Sequence, residues 1–113
     1  MIAEVEHRKF VEMLEEGDAK LVLSKHTLRR QTERGISELD IRNVVLNGWP
    51  IERRQDNTYV TIVLMCFLKI GKGQYRPLHV VCVFSQHAPE VWTVKTAYDP
   101  RSGEWSDNYQ KRT

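Results

Sequence analysis

A long apolar run, Tyr59–Ile70, constrains the fold of this chain more than any other stretch. The run is rich in branched side chains and ends at a Gly-Lys-Gly turn, residues 71–73, which is typical of a strand that enters a hairpin. Two more strand-like runs follow, Leu78–Phe84 and Val91–Tyr98, with a turn around residues 86–89 between them. Because sequential strands joined by short loops pair antiparallel, the second half of the chain predicts an antiparallel meander.

The first half of the chain has helical spacing instead. Apolar residues recur at helical intervals in residues 2–16. Ser37 and Asp40 resemble a capping box that opens a helix over Glu38–Leu46. We expect this third helix to be the best packed, through Leu39, Ile41, Val44, Val45 and Leu46.

Two shorter stretches are compatible with strands. Residues 20–23 predict a brief strand, and Ile51–Arg54 predicts an edge strand. The sum is an α+β fold in which N-terminal helices pack on an antiparallel sheet of about four strands. We predict one domain over residues 1–113, made of an acidic leading helix (1–19) and a core (20–113).

Charge is unevenly distributed along the chain. The net charge is +2 overall, −4 over residues 1–19 and +6 over residues 20–113. A basic body suits a polyanionic partner, although solubility alone explains it equally well. We find no apolar run of membrane-spanning length and no signal-peptide pattern, and Cys66 and Cys82 have no metal-ligand spacing. We therefore predict a cytoplasmic protein with buried thiols, no membrane segment, no metal and no cofactor.

A polar helix is predicted between Ser24, a good N-cap residue, and Gly35, a helix-terminating residue. His26, Arg30 and Arg34 are spaced four residues apart, so they lie along one face of this helix. The two arginines repel each other by roughly 0.2–0.5 kcal/mol unless an anion lies nearby. The helix is therefore either a solvated surface helix or a phosphate site with an imidazole at its edge.

Strand alternation sorts the polar residues of the last two strands. His79 begins an apolar strand and faces away from Leu78 and Val80. In the next strand, alternation places Tyr98 on the same face as Trp92, Val94 and Thr96, with Lys95 on the opposite face. Taken singly, His79 reads as a structural histidine, Tyr98 as an aromatic strand end and Lys95 as a solvent-facing lysine.

Histidine, arginine and tyrosine together are the side chains needed to cleave RNA without a metal. Imidazoles titrate in the range needed to take a proton from the attacking 2′-hydroxyl or to give one to the leaving 5′-oxygen. Guanidinium groups hold the phosphate and stabilise the charge of the transition state. The residues alone therefore favour a ribonuclease, weakly, over other phosphate chemistry.

Three motifs carry a resemblance to a known family. They are His26-x-x-x-Arg30-x-x-x-Arg34-Gly35-Ile36-Ser37, Arg76-Pro77-Leu78-His79-Val80-Val81, and Thr96-x-Tyr98-x-Pro100 with a late Trp105. With these motifs the chain, from about Leu21 to Arg112, resembles the bacterial family called domain of unknown function 4258. That family is similar to the RelE-like branch of the barnase-type ribonuclease toxins.

The resemblance implies a RelE-like or barnase-like architecture and RNA cleavage without a metal. It also implies two kinds of partner: RNA, with ribosome-bound mRNA as one form, and a small antitoxin protein that blocks the site. The run Tyr59–Ile70 is longer than the resemblance leads one to expect, which indicates an extra hairpin or a partner surface. The polar residues that match the motifs are His26, Arg30, Arg34, Arg76, His79, Thr96 and Tyr98.

We therefore predict an endoribonuclease resembling the mRNA interferases. His26 or His79 is the predicted general base, and the other histidine or Tyr98 is the predicted general acid. The alternative is a non-catalytic module that binds RNA or protein through the same basic face, or a degenerate toxin. The predicted phosphate and RNA contacts are Arg30, Arg34, Arg76, Lys95 and Thr96.

Overall fold

Three helices and two sheets make up the structure, a computed structural model that describes residues 2–113. The predicted α+β class is confirmed, with the helices in the first half of the chain and most strands in the second. In chain order the elements are α1 (Ile2–Glu16), β1 (Lys20–Val22), α2 (Lys25–Glu33), α3 (Glu38–Asn47), β2 (Trp49–Gln55), β3 (Tyr59–Gly71), β4 (Gln74–Ser85), β5 (Val91–Tyr98), β6 (Trp105–Ser106) and β7 (Lys111–Arg112).

The main sheet has the strand order β1-β5-β4-β3-β2. Its four strands β2–β5 form the predicted antiparallel meander. The brief strand β1 adds a fifth, parallel to β5, with Leu21 opposite Trp92. The sheet is therefore mixed, because the last strand of the meander, β5, pairs parallel with β1, the first strand of the chain. A separate two-stranded sheet, β6 with β7, forms in the polar C-terminal stretch where no strand was predicted.

An aromatic stack joins the leading helix to the sheet. Phe10 of α1 is stacked on Trp92 of β5 with ring centroids 4.4 Å apart, and Phe84 of β4 stacks on the same indole at 5.0 Å. Arg53 of β2 donates two hydrogen bonds to the carboxylate of Glu6, at 2.7 and 3.0 Å. Aromatic burial thus anchors α1 to β5, and a bidentate ion pair anchors it to β2.

Helix α3 is capped and packed largely as its sequence predicts. Ser37 and Asp40 form both hydrogen bonds of the capping box, each 3.0 Å long. Ile41, Val44 and Val45 are fully buried. The prediction was wrong for Leu39 and Leu46, which are 77% and 41% exposed, because at 100° per residue they lie on the opposite side of the helix from the buried stripe.

The β3–β4 hairpin is longer than the strands beside it. Its pairing runs from Tyr59 opposite Ser85 to Gly71 opposite Gln74. Its neighbours end earlier, since β2 pairs with β3 only up to Met65 and β5 pairs with β4 only from His79 onwards. The far end of the hairpin therefore extends past the rest of the sheet.

No helix within residues 2–113 has the length and apolar character needed to cross a membrane.

Gly48, which follows α3, is predicted to tolerate no side chain. A Cβ at this position would collide with the backbone carbonyl oxygens of Val44 and Met65, neither of which can move freely. We expect Gly48→Ala to lower the free energy of unfolding by roughly 1–3 kcal/mol, measured by urea denaturation. Gly103→Ala is the matched control, because a Cβ there has no neighbour within 4 Å. Equal stability of the two variants would contradict the assigned contact.

Candidate active site

An open cavity of about 650 Å³ lies beside β5, where α2 ends and the C-terminal segment begins. Strand β1 pairs only with residues 91–93, so it leaves the later part of this β5 edge uncovered. We call this space the β5 cavity. It is lined by Arg34, Thr96, Tyr98, Asp99, Pro100, Arg101 and Glu104.

Helix α2 is held at both ends as its sequence predicts. The Ser24 hydroxyl accepts a hydrogen bond from the backbone N–H of Thr27 at 3.0 Å. At the other end Gly35 has a φ of +73°, a left-handed conformation that glycine adopts without strain. His26 and Arg30 are exposed on the outer face of the helix and do not line the β5 cavity.

Arg34 is the C-cap residue of α2, which ends at Glu33, and its side chain contacts β5 as that of Gln31 does. Its Nη1 donates to the carbonyl oxygen of Ala97 at 3.0 Å and to the hydroxyl of Thr96 at 3.2 Å. The side chain thereby crosses from the helix to β5. Of the three residues on the predicted helical face, Arg34 is the one that reaches the cavity.

Gln31 is a site residue that the sequence prediction missed. It is 2% exposed, and its Nε2 donates to the Thr96 hydroxyl at 3.3 Å. Its Oε1 is buried without a hydrogen-bond partner among residues 2–113. The available signal was its spacing, since Gln31 follows Leu28 by three residues and so occupies the packed side of the helix.

A β-bulge determines on which face of the sheet the last side chains of β5 lie. Val94 lies opposite Cys82 and Thr96 opposite Val81, so Lys95 is an extra residue without a partner in β4. The prediction that Tyr98 shares the face of Val94 was therefore wrong, because a bulge inserts one residue and inverts the alternation after it. Tyr98 instead lies opposite His79, and Ala97 points into the core.

Lys95 belongs to a different surface. It is exposed and lines a second depression, together with Tyr59 and Thr61, on the open part of the sheet. It does not line the β5 cavity. The structure therefore separates Lys95 from its sequence neighbour Thr96.

The His79 imidazole is fully buried behind Tyr98. Its Nε2 lies 2.8 Å from the carbonyl oxygen of Tyr109, and its Nδ1 lies 3.2 Å from the Tyr98 hydroxyl. Since a carbonyl oxygen only accepts, Nε2 carries a proton, and in a neutral ring Nδ1 then accepts a hydrogen bond from the Tyr98 hydroxyl. Trp105 closes the pocket edge-on, with centroids 4.4 Å apart.

Burial keeps both members of this pair uncharged at neutral pH. Desolvation lowers the pKa of His79 to about 4, against the opposing effect of the hydrogen bond to Tyr109. Desolvation also raises the pKa of Tyr98 above its ordinary value, opposed by the charge of Arg112. The pair is thus a phenol donating to an imidazole, with the phenol on the cavity wall.

The C-terminal segment supplies the carbonyl group that binds His79. Asp107, Asn108 and Tyr109 all have positive φ values, of 52°, 56° and 68°. Non-glycine residues adopt this conformation only where surrounding contacts enforce it. Arg112 provides such contacts: it donates two hydrogen bonds to Glu52, at 2.9 and 3.1 Å, and lies 4.6 Å from the Trp105 ring centre.

Arg76 does not line the cavity but binds Asp99, which does. It donates to both carboxylate oxygens of Asp99, at 2.6 and 2.8 Å, and to the carbonyl oxygen of Gly35 at 2.9 Å. These contacts tie the end of α2 to the end of β5. The Arg76 guanidinium also lowers the pKa of Asp99, so this carboxylate on the cavity wall is ionised and compensated.

The sequence model of one family, described as a domain of unknown function (DUF4258), matches residues 23–99, more than half of the chain. The chain belongs to the DUF4258 family. No curated protein and no solved structure is significantly similar to it. The relation to RelE-like toxins stays a prediction.

The DUF4258 match spans the residues that the structure brings together most closely. It includes Arg34, Arg76, His79, Thr96 and Tyr98. It ends at Asp99, before the segment that completes the cavity. The cavity and pocket residues beyond the match, none of them predicted as a site residue, are Pro100, Arg101, Glu104, Trp105 and Tyr109.

We predict that His79 makes stability depend on pH between about 4 and 6.5. In this range the unfolded imidazole binds a proton that the folded one excludes, so stability falls as the pH is lowered. Urea denaturation at pH 7 and pH 4.5 should show a loss that is smaller in His79→Gln, by up to about 3 kcal/mol. His7, whose pKa burial also lowers, is present in both proteins and cancels in the comparison. Parallel pH profiles would contradict the assigned neutral state.

Proposed function

We propose that this protein is a metal-independent endoribonuclease whose scissile phosphate binds in the β5 cavity. The observation that carries the proposal is Tyr98, which lines the cavity together with Arg34 and whose hydroxyl donates a hydrogen bond to His79. Phosphodiester cleavage by an attacking 2′-hydroxyl requires a cation at the phosphate, a proton donor for the leaving oxygen and a base for the 2′-hydroxyl, and these two residues supply the first two.

The phosphate would be held by two arginines. Arg34 uses one terminal nitrogen for Thr96 and Ala97, which fixes its position and leaves other guanidinium donors free for an anion. Arg101 lies on the same wall. The nearby Asp99 is compensated by Arg76, so its charge opposes anion binding only weakly.

In the proposed reaction, the 2′-oxygen of a ribose forms a bond to the adjacent phosphorus as the bond to the 5′-oxygen breaks. The Tyr98 hydroxyl exchanges its hydrogen bond to His79 Nδ1 for one to that leaving oxygen and gives it the proton, while the base takes the proton of the 2′-hydroxyl. The product is a 2′,3′-cyclic phosphate and a free 5′-hydroxyl. The requirement for a 2′-hydroxyl excludes DNA as a substrate.

Glu104 is the group we assign as general base for the 2′-hydroxyl. It supplies a carboxylate on the cavity wall without an arginine partner among residues 2–113. His26 was one of the two histidines predicted for this role, but it does not line the cavity. His79 is buried and acts only through Tyr98, which makes it a positioning residue in this proposal.

Tyr98→Phe tests the proposed acid. Loss of the hydroxyl should slow cleavage of single-stranded RNA by roughly 10²–10⁴-fold while RNA affinity stays within about twofold. Tyr59→Phe is the control, since Tyr59 is an exposed tyrosine on the other depression. Circular dichroism checks that both variants are folded. Full activity of Tyr98→Phe would rule out the assigned role.

A second pair of variants locates the base. We expect Glu104→Gln to reduce the cleavage rate at neutral pH by roughly 10²-fold or more, because the neutral amide cannot accept the proton. His26→Ala should cleave at the wild-type rate. The reverse outcome would restore the sequence-based assignment of His26 and reject Glu104.

The alternative function is an RNA- or protein-binding module, or a degenerate toxin, without catalysis. The exposed basic face of α2, which includes His26 and Arg30 but lies apart from the cavity, favours it. Wild-type protein that binds RNA without cleaving it, with or without ribosomes, and that loses binding in Arg30→Ala but not in His26→Ala would support this module. A small antitoxin and ribosome-bound mRNA remain predictions of the resemblance.

A further inference from the structure

The far end of the β3–β4 hairpin is a surface that the proposed reaction does not use. We call residues 69–75 the hairpin tip. It extends past β2 and β5, and its turn closes at Gly73, where φ is +72°. Two large apolar side chains are exposed here, Ile70 at 63% and Tyr75 at 57%. Exposed apolar groups on a projecting element indicate a binding role.

Charge around the tip has a single sign. Residues 67–77 contain Lys69, Lys72 and Arg76 and no acidic residue. Both lysines are exposed, and neither forms an ion pair within residues 2–113. An aromatic side chain opposite an uncompensated lysine is typical of a surface that binds single-stranded nucleic acid, where bases stack and phosphates pair with cations.

Two side chains of the tip lie on the face of the sheet that carries His79. Tyr75 lies opposite Lys69 in the hairpin, so the two side chains share a face. Alternation along β4 places Tyr75 on the same face as His79, which pairs with Tyr98. At about 3.3 Å per residue, the four residues from Tyr75 to His79 span about 13 Å, or about four stacked nucleotides at 3.4 Å each.

A side-chain contact made by the residue after the tip joins β4 to the β5 cavity. Arg76 follows Tyr75 in the chain, and its guanidinium donates two hydrogen bonds to Asp99 on the cavity wall. Arg76, the residue after the tip, therefore ties this part of β4 to the cavity wall, while alternation places its side chain on the opposite face of the sheet from Tyr75.

We infer that the hairpin tip is a second RNA-binding site, which holds unpaired nucleotides flanking the phosphate bound in the β5 cavity. Tyr75 stacks on a base, and Lys69 and Lys72 bind phosphates. This inference rests on the proposed function, and it specifies the substrate as single-stranded RNA several nucleotides long. A protein partner would also use Ile70, but the uncompensated charge favours a polyanion.

Fluorescence anisotropy with a non-cleavable 2′-O-methyl RNA tests the tip. A 12-nucleotide RNA spans cavity and tip, whereas a 3-nucleotide RNA is too short to reach both. Tyr75→Ala should weaken binding of the 12-mer about tenfold and leave the 3-mer unchanged. The Lys69→Ala, Lys72→Ala double variant should reduce the slope of log affinity against log salt by about 1.4, at about 0.7 for each lost phosphate contact. Tyr59→Ala, which removes a tyrosine that is 51% exposed at the opposite end of β3, should bind both RNAs as the wild type does.

The outcomes separate the tip from the cavity. Wild-type affinity of all tip variants for the 12-mer, with a loss in Arg34→Ala, overturns the tip and leaves the cavity standing; the same result is expected if the tip serves a protein. Losses in the tip variants without any loss in Arg34→Ala support the tip and overturn the cavity. A wild-type protein that binds neither RNA overturns both.

Discussion

The site depends on one desolvated imidazole that holds separate parts of the chain together. The His79 ring lies in β4, accepts from Tyr98 in β5, donates to Tyr109 in the C-terminal segment and packs against Trp105. Both ring nitrogens thus have hydrogen-bond partners. Loss of either partner would leave a buried polar atom unsatisfied and lower the free energy of unfolding by roughly 1–3 kcal/mol. The orientation of the phenol and the position of the C-terminal segment are therefore coupled.

Contacts from several elements likewise fix the side chains along the edge of β5. Arg34 reaches the strand from the end of α2, Arg76 joins Asp99 to Gly35 after the same helix, and Tyr98 is held by its cross-strand neighbour His79. Arg34 is held by Thr96 and Ala97, and Asp99 is held by Arg76. Side chains held in this way are in position before a ligand binds. Donors that need no rearrangement stabilise charge better than mobile ones do.

Much of the fold could be predicted because it depends on local signals. The capping box at Ser37, the hairpin turn after Ile70 and the edge strand near Ile51 all depend on residues close together in sequence. The three-motif pattern also led to the DUF4258 family, which the comparison confirms. Helix α2 was correctly bounded by Ser24 and Gly35.

The contents of the site could be predicted only in part, because long-range contacts select its members. Periodicity grouped Arg34 with His26, but the helix ends at Glu33 and separates them. The hydrogen bond from Gln31 spans 65 residues, and the carbonyl of Tyr109 has no side-chain signature at all. The polar composition of the C-terminal stretch hid its role, since only Trp105 indicates a buried contact there.

The unpaired residue in β5 has an evolutionary consequence. Because Val94, Thr96, Ala97 and Tyr98 already lie opposite consecutive residues of β4, loss of the Lys95 codon would remove the bulge and leave Tyr98 opposite His79. Point substitutions in this strand change one side chain at a time. A one-residue deletion at the bulge would instead shorten the strand without moving any side chain from the cavity to the core, so the length of this strand should be inherited less strictly than the alternation of its last residues.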